Sequence, residues 1–112
     1  MKLVVIVGPY RSESDYLVSL NIEKAFHVSA CLWELGYAVI CPHKNSEFLS
    51  GLTDEQTFLN GYLEMVKRAD GIVLIEGFKN SVGAMKEFEL AKSLDKEILI
   101  YKNGRIGIYE SD

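Results

Sequence analysis

Glu87 is the carboxylate in this chain whose neighbours best suit chemistry. It lies in the stretch Asn80-Ser81-Val82-Gly83-Ala84-Met85-Lys86-Glu87-Phe88-Glu89-Leu90-Ala91, which reads as a loop running into the first turns of a helix. Side chains three and four positions apart are neighbours on a helix surface. Glu89 has Lys86 and Lys92 at those distances and reads as a solvated, paired surface acid. Glu87 has Gly83, Ala84, Leu90 and Ala91 there, with no cation among them. That leaves an open, partly apolar surface beside the carboxylate, a place for a ligand. Most helical glutamates simply face solvent, so the rest of the chain has to support the reading. Ser81 and the amides after it stand at a helix N-terminus, where backbone donors and the helix dipole favour an anion, although a cap alone accounts for Ser81.

Three further loops are expected to converge on the same place. Lys2 to Val7 is a continuous β-branched run, as in a central strand of a parallel sheet. Gly8-Pro9-Tyr10-Arg11-Ser12 then forms a loop at its carboxyl end, the edge where open α/β sheets bind ligands. Gly8 would let a ligand approach the backbone, and Arg11 would offer a guanidinium to a phosphate or carboxylate. Tyr37 to Cys41 reads as a second strand delivering Pro42-His43-Lys44-Asn45 to this edge. Ile72 to Ile75 is the strongest strand, and Glu76 to Asn80 follows it as the third loop.

Between the strands the spacing predicts helices. The first is capped by Ser19 or Asn21, carries Ile22, Ala25, Phe26, Ser29, Leu32 and Trp33 on its core face, and ends at Gly36. Ser12 to Tyr16, before it, reads as a polar flap, and His27 falls off the apolar face. Thr53 and Gln56 form a capping box for the second, with Phe58, Leu59, Tyr62, Leu63, Val66 and Ala69 along one face. The third ends near Leu94-Asp95-Lys96. Glu97 to Tyr101 is a fourth strand, Lys102-Asn103-Gly104 a turn, and Arg105 to Tyr109 a short edge strand. The β-α alternation predicts an α/β, three-layer Rossmann-like (flavodoxin-like) domain with a four- to five-stranded, mainly parallel sheet.

The 112 residues make one domain, 1–112, large enough to bury a core without staples, and the apolar share of 48% is ordinary. A net charge of −4 with no basic run beyond Lys67-Arg68 argues against a nucleic acid polymer as partner. No apolar run is long enough to span a membrane or serve as a signal peptide, so a cytoplasmic protein is expected. Cys31 and Cys41 read as buried thiols, and with only His27 and His43 beside them no metal centre is indicated.

With these pieces placed, the chain resembles the nucleoside 2-deoxyribosyltransferase-like superfamily, and within it the small single-domain members of unassigned function found in phages and bacteria. The resemblance rests on Gly8-Pro9-Tyr10-Arg11, Asn21, Gly36-Tyr37, Cys41-Pro42-His43, Ala69-Asp70, Ser81-Val82-Gly83, Glu87 and Ala91, and covers Lys2 to Tyr101. It implies that Glu87 attacks the anomeric carbon of a 2-deoxyribosyl group, expelling the base, with water or a second base resolving the covalent intermediate. It further implies that Arg11, Ser81 and Gly83 hold a 5′-phosphate where there is one, and that Tyr10 and His43 lie near the base or sugar. Gly8, Pro9, Tyr62 and Asp70 complete the implied substrate-binding set. No metal or organic cofactor is implied; the partner is a small nucleoside or nucleotide, and the assembly a homodimer or larger homo-oligomer.

One departure stands out. Active relatives carry an aspartate eight residues before the position of Asp70, and here that position is Tyr62, a far weaker acid. A nucleotide-binding or sensing module without turnover is therefore the alternative to an enzyme, and a structural subunit the third reading.

Overall fold

The structure, a computed structural model, describes residues 1–110. They form β1 (Leu3–Val7), α1 (Asp15–Glu34), β2 (Ala38–Ile40), the single turn α2 (Pro42–Asn45), α3 (Glu55–Arg68), β3 (Gly71–Ile75), a 3₁₀ turn at Phe78–Asn80, α4 (Val82–Ser93), β4 (Glu97–Lys102) and β5 (Arg105–Ile108). The five strands make one sheet in the order β2-β1-β3-β4-β5. β5 alone among them runs antiparallel to its neighbour, pairing Lys102 with Arg105 across Asn103 and Gly104. Both turn residues have positive φ, 53° and 77°, the requirement of a two-residue hairpin turn that follows the twist of its strands.

Strand alternation divides the core into two layers. Val4 and Ile6 of β1, with Val73 and Ile75 of β3, pack against Ala25, Val28 and Leu32 of α1. Val5 and Val7, with Ile72 and Leu74, face Val66 and Ala69 on one side of the sheet and Ala84, Phe88 and Ala91 of α4 beside them. The rings of Phe78, Phe88 and Tyr109 close this second layer, with centroids 5.3–5.9 Å apart. The expected three-layer Rossmann-like domain is what the chain forms.

Several local expectations are corrected. α1 begins at Asp15, not near Asn21: Ser14 is its cap, accepting a hydrogen bond from the Leu17 amide, and the expected flap shrinks to Ser12–Ser14. Phe26 and Trp33 are 56% and 54% exposed. The buried stripe of α1 is centred on Ala25 and Leu32, and at 3.6 residues per turn both rings lie about 80 to 100° round the helix from it. The helix does end at Gly36, through paired bonds from Gly36 N to Trp33 O and Tyr37 N to Leu32 O. Asp54, not Thr53, caps α3, taking bonds from the amide and hydroxyl of Thr57. Cys31 and Cys41 are only half-buried.

No helix among the described residues is long and apolar enough to cross a membrane. No group of three or more of their His, Cys, Asp or Glu side chains could hold a metal ion.

Candidate active site

β1 lies between β2 and β3, so the chain leaves its carboxyl end toward α1 on one face, while β3 leads to α4 on the other. Where consecutive connections diverge in this way, an open parallel sheet has a crevice beyond its strand ends. Here the crevice is a cavity of about 1080 Å³. Its walls are the loop after β1, α2 with the segment that follows it, the inner face of α3, and the first turns of α4.

The loop after β1 is held in place by its own backbone. Gly8 is buried, and a Cβ there would come within 3.0 Å of the Ile75 Cβ. Its missing side chain thus serves the close approach of β1 to β3. The Pro9 carbonyl accepts a bond from His43 Nε2 at 3.0 Å, and the Tyr10 carbonyl one from Asn21 Nδ2 at 3.1 Å. The rings of Tyr10 and His43 lie 5.9 Å apart on the same wall.

His43 is 4% exposed, and burial pushes its pKa down from 6.5. It is therefore neutral near pH 7, with its proton on Nε2, because a carbonyl can only accept. Its Nδ1 is buried with no hydrogen-bond partner among the described residues. Tyr62 sits opposite. Its hydroxyl lies 2.7 Å from Ser46 Oγ, which in turn donates to the Pro42 carbonyl, so Tyr62 ties α3 to α2.

α4 supplies Glu87. Ser81 caps the helix, its Oγ accepting from the Ala84 amide at 3.2 Å, and Gly83 lies at the cavity edge. Ala84, Glu87 and Ala91 recur at helical spacing, and all three are buried. Glu87 is therefore part of the inward stripe, more enclosed than its neighbours in sequence indicate, yet it lines the cavity at 8% exposure. Its Oε2 is buried with no hydrogen-bond partner among the described residues. Desolvation, with no opposing charge to offset it, raises the pKa from 4.5 to about 8. Glu89, by contrast, is exposed and forms no ion pair with Lys86 or Lys92.

Of the residues singled out in the sequence, Gly8, Pro9, Tyr10, Arg11, His43, Tyr62, Ser81, Gly83 and Glu87 line this one cavity. Asp70 does not. It precedes β3, so it lies at the amino edge of the sheet, where Oδ2 accepts from the Leu3 amide at 2.7 Å and its own amide donates to the Leu3 carbonyl. Its role is to join β1 to β3. Arg11 is at the rim and already engaged, in an ion pair with Glu55.

The profile of a domain of unknown function, DUF4406, matches residues 8–100. The chain belongs to this family. No curated protein matches it. Among solved structures, this DUF4406 domain is similar to a 2-deoxyribosyltransferase from the psychrotolerant bacterium Bacillus psychrosaccharolyticus, described as a biocatalyst for the synthesis of antiviral and antitumoral nucleosides. The likeness has a TM-score of 0.66 at 17% identity and covers 88% of this chain and 70% of that one. It shows that the fold expected from the resemblance is the fold the chain has.

Sequence reasoning missed three parts of the DUF4406 cavity. Phe58 and Leu59, assigned to the core face of α3, are half-buried cavity wall. Glu55 was not singled out, although an acid in the first turn of a helix that opens onto a ligand edge is a readable signal. Asn21, placed as a cap, instead pins the loop after β1.

The raised pKa of Glu87 makes stability depend on pH. Between about 4.5 and 8 the unfolded chain carries this carboxyl ionised while the native one holds it protonated. The native state then binds more protons, and stability falls as pH rises through that window, by a total on the order of 5 kcal/mol. Glu87→Gln removes the titration. Urea unfolding of both proteins at pH 5 and pH 8.5 should show the variant gaining on the wild type as pH rises, and parallel behaviour would refute the buried, unpaired carboxyl. His43 has the opposite sense, losing stability as pH falls below 6.5, but it is common to both proteins and drops out of the comparison.

Proposed function

We propose that this DUF4406 domain cleaves or transfers at the N-glycosidic bond of a 2-deoxynucleoside or its 5′-monophosphate, with Glu87 as nucleophile. The observation that carries the reading is a buried carboxyl without a hydrogen-bond partner on Oε2, at the wall of the cavity where the β1 and β3 loops part. A structural carboxylate is normally hydrogen-bonded or ion-paired when buried, and departures from that rule concentrate at functional sites.

In the first step a Glu87 oxygen of the carboxylate form attacks C1′. The C1′–N bond breaks with its electron pair on the base, which takes up a proton from water. The negative charge of the carboxylate also stabilises the oxocarbenium character that develops at C1′. In the second step water, or the nitrogen of another base, attacks C1′ and gives up its proton to the hydroxide left by the first step, and the C1′–O bond electrons return to Glu87. Water yields free 2-deoxyribose or its phosphate; a base yields a new nucleoside. Tyr10 and His43 supply a partly polar wall for base or sugar, and Phe58 and Leu59 an apolar one.

Only the ionised form of Glu87 is a nucleophile, and its pKa is about 8. kcat/KM, which reports groups of the free protein, is therefore expected to rise with pH, by up to about tenfold per unit, and to level off above pH 8. Incubation with a panel of 2-deoxynucleosides and their 5′-monophosphates, followed by chromatography of free base, tests both statements. Release of base with this pH profile supports the reading. A rate independent of pH between about 6 and 9 excludes Glu87 in this role. One observation favours a binder without turnover: Tyr62, at the position where relatives hold an acid, is committed to Ser46. Ligand binding with no base release from any member of the panel would establish that second reading.

A further inference from the structure

The two walls of the cavity mouth are joined by one ion pair. Arg11 Nη2, on the loop after β1, contacts Glu55 Oε1, on the first residue of α3. Both side chains are about two-thirds exposed, so the pair lies at the entrance rather than in the interior. Among the charged residues lining the cavity, Arg11 and Lys86 are cations and Asp54, Glu55 and Glu87 are acids. Asp54 is the α3 cap, held below its ordinary pKa by the Thr57 hydroxyl and amide, and is ionised at neutral pH. With Glu87 protonated in the free protein, two positive charges face two negative ones. Both negative charges stand at the N-terminus of α3.

We propose that Glu55 sets the charge class of the ligand: by holding Arg11 and leaving the cavity mouth electroneutral, it directs the site to uncharged 2-deoxynucleosides over their 5′-monophosphates. The proposal rests on the reading of the cavity as a nucleoside site. A phosphate dianion that reached Arg11 would have to displace the Glu55 carboxylate and then remain beside it and Asp54, whereas an uncharged ribosyl hydroxyl meets no such repulsion. An exposed ion pair is easily broken, so Glu55 acts as an electrostatic bias and not as a lock. Its effect is expected to be about tenfold on the affinity of a dianion in low salt and to shrink as ionic strength shortens the screening length.

The test is calorimetric titration of the Glu87→Gln protein, which does not consume its ligand, with each common 2-deoxynucleoside and its 5′-monophosphate. The same titrations are then made with Glu55→Gln added, and with Glu55→Gln and Arg11→Gln added together. The expected result is that the protein retaining Glu55 binds the nucleoside at least as tightly as the monophosphate. Glu55→Gln should then strengthen monophosphate binding about tenfold and leave the nucleoside within about twofold. Adding Arg11→Gln should cancel the gain, which a mere disturbance of the α3 terminus would not do. A monophosphate preference with Glu55 present, or a preference unmoved by Glu55→Gln, overturns this proposal and leaves the nucleoside reading standing. Binding of neither ligand overturns the nucleoside reading, and this proposal with it.

Discussion

Glu87→Gln is expected to lower the rate of base release from a 2-deoxynucleoside by about a thousandfold or more while changing ligand affinity only a few-fold. Glutamine keeps the shape and the burial of the side chain but has neither the negative charge nor a nucleophilic oxygen of comparable strength. The site offers no substitute close by, since Asp54 is engaged in capping α3 and Glu55 is paired at the rim. Initial rates by chromatography, with affinity measured separately on the same protein, give both numbers. A variant that binds normally and still releases base within tenfold of wild type would show that some other group does the chemistry. Loss of both binding and release would place Glu87 among the groups that hold the ligand.

Gly71→Ala is expected to destabilise the protein by roughly 3 kcal/mol or more, the cost of forcing an atom into a packed backbone contact. Gly71 opens β3 between β1 and β4, in register with Val4 on one side and Glu97 on the other. A Cβ on Gly71 would overlap the Glu97 carbonyl oxygen and press on the Glu97 Cβ at 3.0 Å. Both are fixed parts of the neighbouring strand, so relief requires β4 to move. Asp70, immediately before it, binds the Leu3 backbone, so displacement at this end is resisted from the β1 side as well. Urea unfolding of the variant checks the expectation, and a loss under about 0.5 kcal/mol would contradict it.

The layers and the site edge were legible because both follow from local signals. β-branched runs ended by glycine or loop residues marked the four parallel strands, and the loops at their carboxyl ends had to meet at one edge. Within that frame Glu87, with Gly83, Ala84, Leu90 and Ala91 as its helix neighbours, read as a carboxylate beside an open, partly apolar surface, whereas the structure buries it on the stripe of Ala84 and Ala91. Asp70 could have been placed correctly by the same logic. A residue that precedes a parallel strand lies at the opposite edge from residues that follow one, so Asp70 stands away from the cavity despite its match to the family pattern.

What could not be read depended on contacts between distant segments. Ser14 begins α1 because its hydroxyl accepts the Leu17 amide, but the polar run around it resembles a loop as much as a cap. Phe26 and Trp33 fit a helical stripe by spacing alone, and only the position of the sheet reveals that the stripe is centred on Ala25 and Leu32. The Arg11–Glu55 pair joins segments with no local relation in the chain, so neither residue announces the other. The degree of burial at Glu87, and with it the raised pKa, depends on how α4 packs against the sheet.

Whether Glu87 forms a bond to the sugar is read by intact-mass spectrometry of the protein quenched during reaction with a 2-deoxynucleoside. Attack by Glu87 on C1′ should give a species heavier by one deoxyribosyl group, with the added mass mapped by peptide fragmentation to Glu87 and absent from Glu87→Gln. Base release by the wild type with the added mass on another residue, or release undiminished in Glu87→Gln, would contradict it.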